Sequence, residues 1–157
     1  MSYRADRAGR AGRADRVDDG PVTTAPTAFT VPTVPTTCPC QSGMPYQDCC
    51  RPFHLGEGTA PTAERLMRSR YCGFALQDEA YLLKTWHPST RPLSVALDRG
   101  MRWHQLQILG RTGGGLLDRS GTVEFLAAYR RAGVAGEHHE NSRFVRERGC
   151  WLYVGLA

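Results

Sequence analysis

Cys38, Cys40, Cys49 and Cys50 place four sulfurs within thirteen residues of this 157-residue chain. Zinc binds four soft thiolates in a tetrahedron at about 2.3 Å, and this run of residues supplies such a set. Cys38 and Cys40 can approach one ion from an extended turn, Gly43 lets the chain reverse, and Cys49 and Cys50 complete the shell. Four protein ligands leave no open position for water or substrate, so the role expected of the metal is structural. Arg51, next in sequence, can soften the negative charge of the thiolates, and His54 is a substitute ligand should Cys50 point away. Two disulfides are the alternative, disfavoured by the adjacent cysteines and by a reducing compartment. A dithiol redox pair is another, but the Cys-x-x-Cys spacing is absent. Cys72 and Cys150 are expected to be buried apolar thiols rather than ligands.

The segment that carries these cysteines is too short for a core of its own and needs a staple. Residues 1–37 cannot supply one. Arginine recurs at every third position from Arg4 to Arg16, with Ala, Gly and Asp between, so no apolar face exists to offset the entropy of ordering. Residues 21–37 are rich in Thr and Pro and read as an extended linker. The expected organisation is therefore a disordered tail and linker over 1–37, a zinc knuckle over 38–54, and a folded domain over 55–157.

That domain starts with the clearest helix. Thr62 can cap it, Glu64 suits its positive end, and Ala63, Leu66, Met67, Tyr71, Phe74 and Ala75 recur at helical spacing. Asp78 starts a second short helix with Leu82, Leu83 and Trp86 inward, and His87-Pro88 ends it. Strands are predicted over 101–109, 122–130, 139–146 and 150–154. Val123, Phe125, Ala127 and Tyr129 share one face of the second, and Glu140, Ser142 and Phe144 one face of the third. Gly113-Gly114-Gly115 reads as one turn, and Gly133 with Gly136 as another. Helices followed by an antiparallel meander predict an α+β fold, with helices packed on a curved sheet.

Composition bounds the function. The chain is 41% hydrophobic and 22% charged, which suits a domain with a core. The net charge of +5 rests on 19 arginines and Lys84. Four thiolates around a divalent ion would lower it to about +3, which weakens the case for a nucleic-acid partner. No stretch approaches the roughly 20 apolar residues needed to span a bilayer. The expected compartment is the cytoplasm, where thiols stay reduced.

At the cysteine segment the sequence resembles the SEC-C motif, the zinc-binding tail of the translocase motor SecA. Cys38, Cys40, Ser42, Gly43, Tyr46, Cys49 and Cys50 meet its pattern, with Gln41 where the motif usually has Gly. Further on, Pro61-Thr62-Ala63-Glu64, Met67-Arg68-Ser69-Arg70-Tyr71, Tyr81-Leu82 and Thr85-Trp86-His87-Pro88 resemble the YchJ-type family. So do Val123-Glu124-Phe125, His139-Glu140 with Ser142 and Phe144, and Trp151 with Tyr153. The resemblance covers 38–155 and implies a nuclear transport factor 2-like (cystatin-like) α+β fold.

Three function classes follow. By analogy with the SecA tail, a zinc knuckle can dock a protein partner such as a chaperone, a translocase or the ribosome. Folds of the implied type often hold a cone-shaped pocket, for which Tyr71, Trp86, Trp103, Tyr129 and Glu140 are the candidate lining residues. Such a pocket would serve an enzyme or a small-ligand binder. The bland reading of Glu140 is an ion pair with Arg68 or Arg70. Arg102, Arg111, Arg130, Arg131, Arg143, Arg146 and Arg148 could meet RNA, although arginines on strands are more often a solvated face. No Ser-His-Asp order or carboxylate pair can be argued, and no catalytic residue is assigned.

Overall fold

A computed structural model describes residues 34–157. The expected tail and most of the linker fall outside those residues. From Thr37 onward the chain is tied down: Thr37 pairs with Pro45, and the Tyr46 amide donates to the Thr36 carbonyl at 3.3 Å. The described residues, 34–157, all fall in one compact unit that includes the cysteine segment.

A single 3-10 turn, Tyr46–Asp48, leads into a short helix α1, Arg51–Leu55. The sequence reading missed α1, because five residues are too few to show a period. Helix α2, Ala63–Ala75, is capped by Thr62, whose hydroxyl accepts from the Arg65 amide at 3.2 Å. Helix α3, Glu79–Lys84, is capped by Asp78, which accepts from the Tyr81 amide at 3.0 Å. Both caps satisfy amides that the first helical turn leaves without a partner.

Four strands then form one antiparallel sheet in sequence order: β1 Met101–Gly113, β2 Ser120–Arg131, β3 Val134–Glu147 and β4 Cys150–Leu156. Register shifts at Trp103/Gln105 and Ile108/Gly110 interrupt the β1–β2 ladder, and such bulges bend the strand that carries them. The β2–β3 and β3–β4 connections are two-residue turns, Ala132-Gly133 and Arg148-Gly149. All four residues have positive φ, the geometry that matches the twist of a hairpin. Gly136 is therefore not part of a turn, as the sequence suggested. It lies inside β3 opposite Tyr129, where an added Cβ would sit 2.6 Å from the tyrosine ring. The glycine makes room for the ring, not for a reversal of the chain.

Helix α2 packs its Ala63, Leu66, Met67 and Tyr71 against Leu106, Val123, Phe125, Ala127, Phe144 and Trp151 of the sheet. The expected alternation on β2 and β3 holds. Val123, Phe125 and Ala127 are buried, as are Ser142 and Phe144, and Glu140 is half-buried. After α3 the chain crosses the edge of β4: the His87 amide donates to the Tyr153 carbonyl at 2.7 Å, and the Tyr153 amide to the Thr85 carbonyl at 2.9 Å. This crossing places Trp86 edge-on to the Tyr153 ring, with centroids 4.9 Å apart.

Candidate functional site

The cysteine segment turns through two left-handed residues, Gln41 at φ 59° and Gly43 at φ 81°. Glycine adopts such a φ without strain, which explains the usual Gly of the motif at position 41. Gln41 tolerates it here with its side chain anchored on β1. Its Nε2 donates to the His104 carbonyl at 2.6 Å, and its Oε1 accepts from the Leu106 amide at 3.4 Å.

The turn brings Cys38 and Cys40 toward Cys50, which sits at the start of α1. The tightest group of sulfurs is not the expected one. Cys38, Cys40, Cys50 and Cys72 have all four Sγ atoms within 4.8 Å of one another, and all four are buried. Cys72 comes from the last turn of α2, is 0% exposed, and its Sγ lies 3.5 Å from that of Cys38. Cys49 stays at the flank, 3.6 Å from Cys40 and 3.8 Å from Cys50. Its sulfur is engaged from the other side by Ser42 Oγ at 3.1 Å and by Arg65 Nη1 at 3.5 Å. A tetrahedral ion with metal–sulfur bonds of about 2.3 Å sets its ligands about 3.8 Å apart, so the cluster has the spacing of a metal site. Without a metal the protons are shared unevenly. The hydrogen bond with Cys38 holds Cys40 well below the usual thiol range, and its counterpart pushes Cys50 well above it. A bound divalent ion would replace those protons.

His54 is not a substitute ligand. Its Nδ1 accepts from the Tyr46 hydroxyl at 2.8 Å and its Nε2 donates to the Ser69 carbonyl at 2.9 Å, so both ring nitrogens are spent. Burial depresses its pKa and keeps the ring neutral. The charge-softening role expected of Arg51 falls to α2 instead. Arg65 reaches the sulfur and the carbonyl of Cys49, and Arg68 donates to the Cys40 carbonyl at 3.0 Å. Cys150 is half-buried at the start of β4, outside the cluster.

The opposite side of α2 faces a cavity of about 410 Å³. Tyr71, Trp86, Trp103, Tyr129 and Glu140, the five candidate pocket residues, all line it. Trp103 is the hub of the aromatic wall, edge-on to Tyr71 at 6.0 Å and to Tyr129 at 5.3 Å. Glu140 makes no ion pair with Arg68 or Arg70; Arg68 pairs with Glu64. Oε1 of Glu140 accepts from Ser142 at 2.5 Å and from the Tyr153 hydroxyl at 3.0 Å, and Oε2 meets His138 Nε2 at 3.0 Å. Burial alone would raise its pKa. The donations from Ser142, His138 and Tyr153 outweigh burial and hold the carboxyl below its ordinary value. Arg70, which the sequence offered only as an ion-pair partner for Glu140, also lines the cavity and is 5% exposed. Its place beside Tyr71 on the buried face of α2 was the available signal.

Residues 62–155 match the family model described as the middle, NTF2-like domain of YchJ, and residues 36–52 match the SEC-C motif. A UPF0225 protein of Streptomyces coelicolor is 51% identical over 117 residues, covering 74% of this chain and 91% of that protein. A UPF0225 protein of Deinococcus radiodurans is 44% identical, covering 76% and 88%. The solution structure of a SEC-C motif containing protein from Rhodopseudomonas palustris superposes with a TM-score of 0.67 at 38% identity, covering 75% and 94%. The crystal structure of a SEC-C motif containing protein from Psychrobacter arcticus gives 0.63 at 31%, covering 77% and 82%.

The depressed carboxyl of Glu140 gives a pH-dependent contribution to stability. Its folded pKa lies below the unfolded value, so the contribution is complete above the unfolded range near about pH 4.3 and is lost as pH falls through the folded value. Glu140→Gln should therefore lower the melting temperature near neutral pH, with the two curves converging as pH falls through the folded value. Parallel curves across that range would show that the carboxylate charge is not what these donors hold.

Proposed function

This chain belongs to the YchJ family of proteins that carry a SEC-C motif, and we propose that it is a zinc-stapled binder of a small molecule. Four soft, buried sulfurs suit zinc among the common divalent ions. The ligands proposed are Cys38, Cys40, Cys50 and Cys72, because these are the four sulfurs that all lie within 4.8 Å of one another. Cys49, which the sequence spacing would have used, sits outside them as the partner of Arg65. A closed four-thiolate shell does no chemistry on a substrate. It fixes the short cysteine segment on α2, in a protein whose reduced thiols fit a cytoplasmic location.

The cavity is the observation that carries the binding role. Concave, mostly apolar pockets of roughly 300–1,000 Å³ with a few convergent polar groups are the usual sites for small molecules. This one is lined by aromatic rings together with Glu140, Ser142 and His138. A second reading, docking of a chaperone, translocase or ribosome by analogy with the SecA tail, is favoured by Met44 and Leu55. These apolar side chains beside the cluster are 43% and 53% exposed.

Protein purified without added metal should carry close to one equivalent of zinc. Cys72→Ser should lose most of it, whereas Cys49→Ser should retain it and, after cobalt substitution, keep a four-thiolate absorption spectrum. The reverse pattern would restore Cys49 as the ligand. The binding role is tested by ligand-observed NMR with a mixed set of small aromatic compounds. Hits should bind the intact protein and be lost in Ala127→Phe, which fills the cavity from β2. Absence of hits, or hits that survive the filling, would contradict the binding role.

A further inference from the structure

Arg70 is a buried cation without an anion. It is 5% exposed, and among the described residues it takes part in no ion pair. Its Nη1 donates to the Leu82 carbonyl and to Thr85 Oγ1, each at 2.7 Å. Its Nε and Nη2 have no hydrogen-bond partner among the described residues. The guanidinium is held between rings, 4.6 Å from the centroid of Tyr153 and 5.1 Å from that of Trp86. Ring stacking orients a guanidinium but leaves its in-plane N–H groups unsatisfied. Burial pushes its pKa down to about 10, so it stays charged at neutral pH.

The neighbouring groups make the imbalance larger. Trp86 also lines the cavity, and among the described residues its Nε1 is the side-chain polar atom wholly shut off from solvent that has no partner, whereas the free Nε and Nη2 of Arg70 keep some access to solvent. Glu140, the carboxylate that could have answered Arg70, is occupied by Ser142, Tyr153 and His138. The buried part of the cavity therefore carries unanswered donors and a satisfied acceptor, Glu140, while the second lining carboxylate, Glu137, is exposed to solvent. Buried polar groups are almost always paired, and a buried charge left unpaired is strongly disfavoured. A ligand bearing an anionic acceptor would supply what is missing.

The chemistry of that ligand can be narrowed. Nε and Nη2 form the side edge of the guanidinium, whose two parallel N–H groups match the two oxygens of a carboxylate. The remaining wall is aromatic: Tyr71, Phe74, Trp103 and Tyr129. We infer that the cavity binds an aromatic carboxylic acid, with its carboxylate on the Nε/Nη2 edge of Arg70 and its rings against the Trp103 wall. This inference rests on the cavity being a binding site and adds the class of ligand.

The test uses the full, metal-loaded chain and three probes that share one ring system: 2-naphthoate, 2-naphthamide and 2-naphthylmethylammonium. Titration calorimetry should show naphthoate binding at least about tenfold more tightly than the amide, as expected for a charge-assisted bidentate pair, and the cation binding least. Arg70→Met, which keeps the length and apolar stem, should bring naphthoate to the level of the amide and leave the amide little changed. If that variant does not fold, the intact protein still decides the matter. In its nitrogen-15 spectrum naphthoate, and not the cation, should shift the Trp86 indole and Arg70 Nε resonances. Equal affinity for naphthoate and amide in the intact protein would overturn the carboxylate assignment while the cavity stood as a binding site. If none of the three bound, both would fall.

Discussion

Four buried sulfurs, three from one loop and one from helix α2, form the contact on which the rest of this structure depends. Residues 38–50 have little apolar burial of their own to hold them. Tyr46 is buried, Met44 is not, and the turn passes through two left-handed residues. Thiolates so close together repel unless protons or a bound ion neutralise them, and these four sulfurs lie close enough to hold a metal ion. Cys72 then fixes where the loop sits. The surrounding contacts all point the same way: Arg65 and Arg68 reach back from α2 to Cys49 and Cys40, His54 joins Tyr46 to the Ser69 carbonyl, and Gln41 grips β1.

The same helix has a second obligation. Leu66, Met67 and Tyr71 belong to the sheet-facing core, and Arg70 enters the cavity between Trp86 and Tyr153. Arg70 also ties α2 to α3 through the Leu82 carbonyl and Thr85, and Thr85 receives the Tyr153 amide of β4. A shift of α2 relative to the loop would thus be felt at the polar end of the cavity. The sulfur cluster and the cavity share one helix, so an ion held by the cluster would bear on the shape of the cavity's polar end.

Much of this was legible in the sequence for identifiable reasons. Thr62 and Asp78 announced both main helices because a cap is a local, two-residue interaction. The inner faces of β2 and β3 followed from strict alternation, and Tyr71, Trp86, Tyr129 and Glu140 lay on faces that read as inward, whereas Trp103 had a strand but no face. Cys72 was not legible as a cluster member. Proximity in sequence favours Cys49, whereas only the packing of α2 on the loop brings Cys72 into range. The spacing of Arg65, Ser69, Cys72 and Leu76 on a second side of α2 held a faint sign that this helix faces two neighbours. Gly136 misled for a different reason: a glycine that yields space to a tyrosine ring across a strand pair has the same letter as one that turns the chain.

The joint dependence of the loop and α2 on the thiol cluster is tested most directly by amide hydrogen exchange, read peptide by peptide on the metal-loaded chain and again after chelation. The expected result is a coupled loss of protection over residues 38–50 and over α2, Ala63–Ala75, larger than any loss in the centre of β2 and β3. Rapid exchange confined to residues 38–50, with α2 as protected as before, would contradict the claim that Cys72 binds the helix and the loop into one unit.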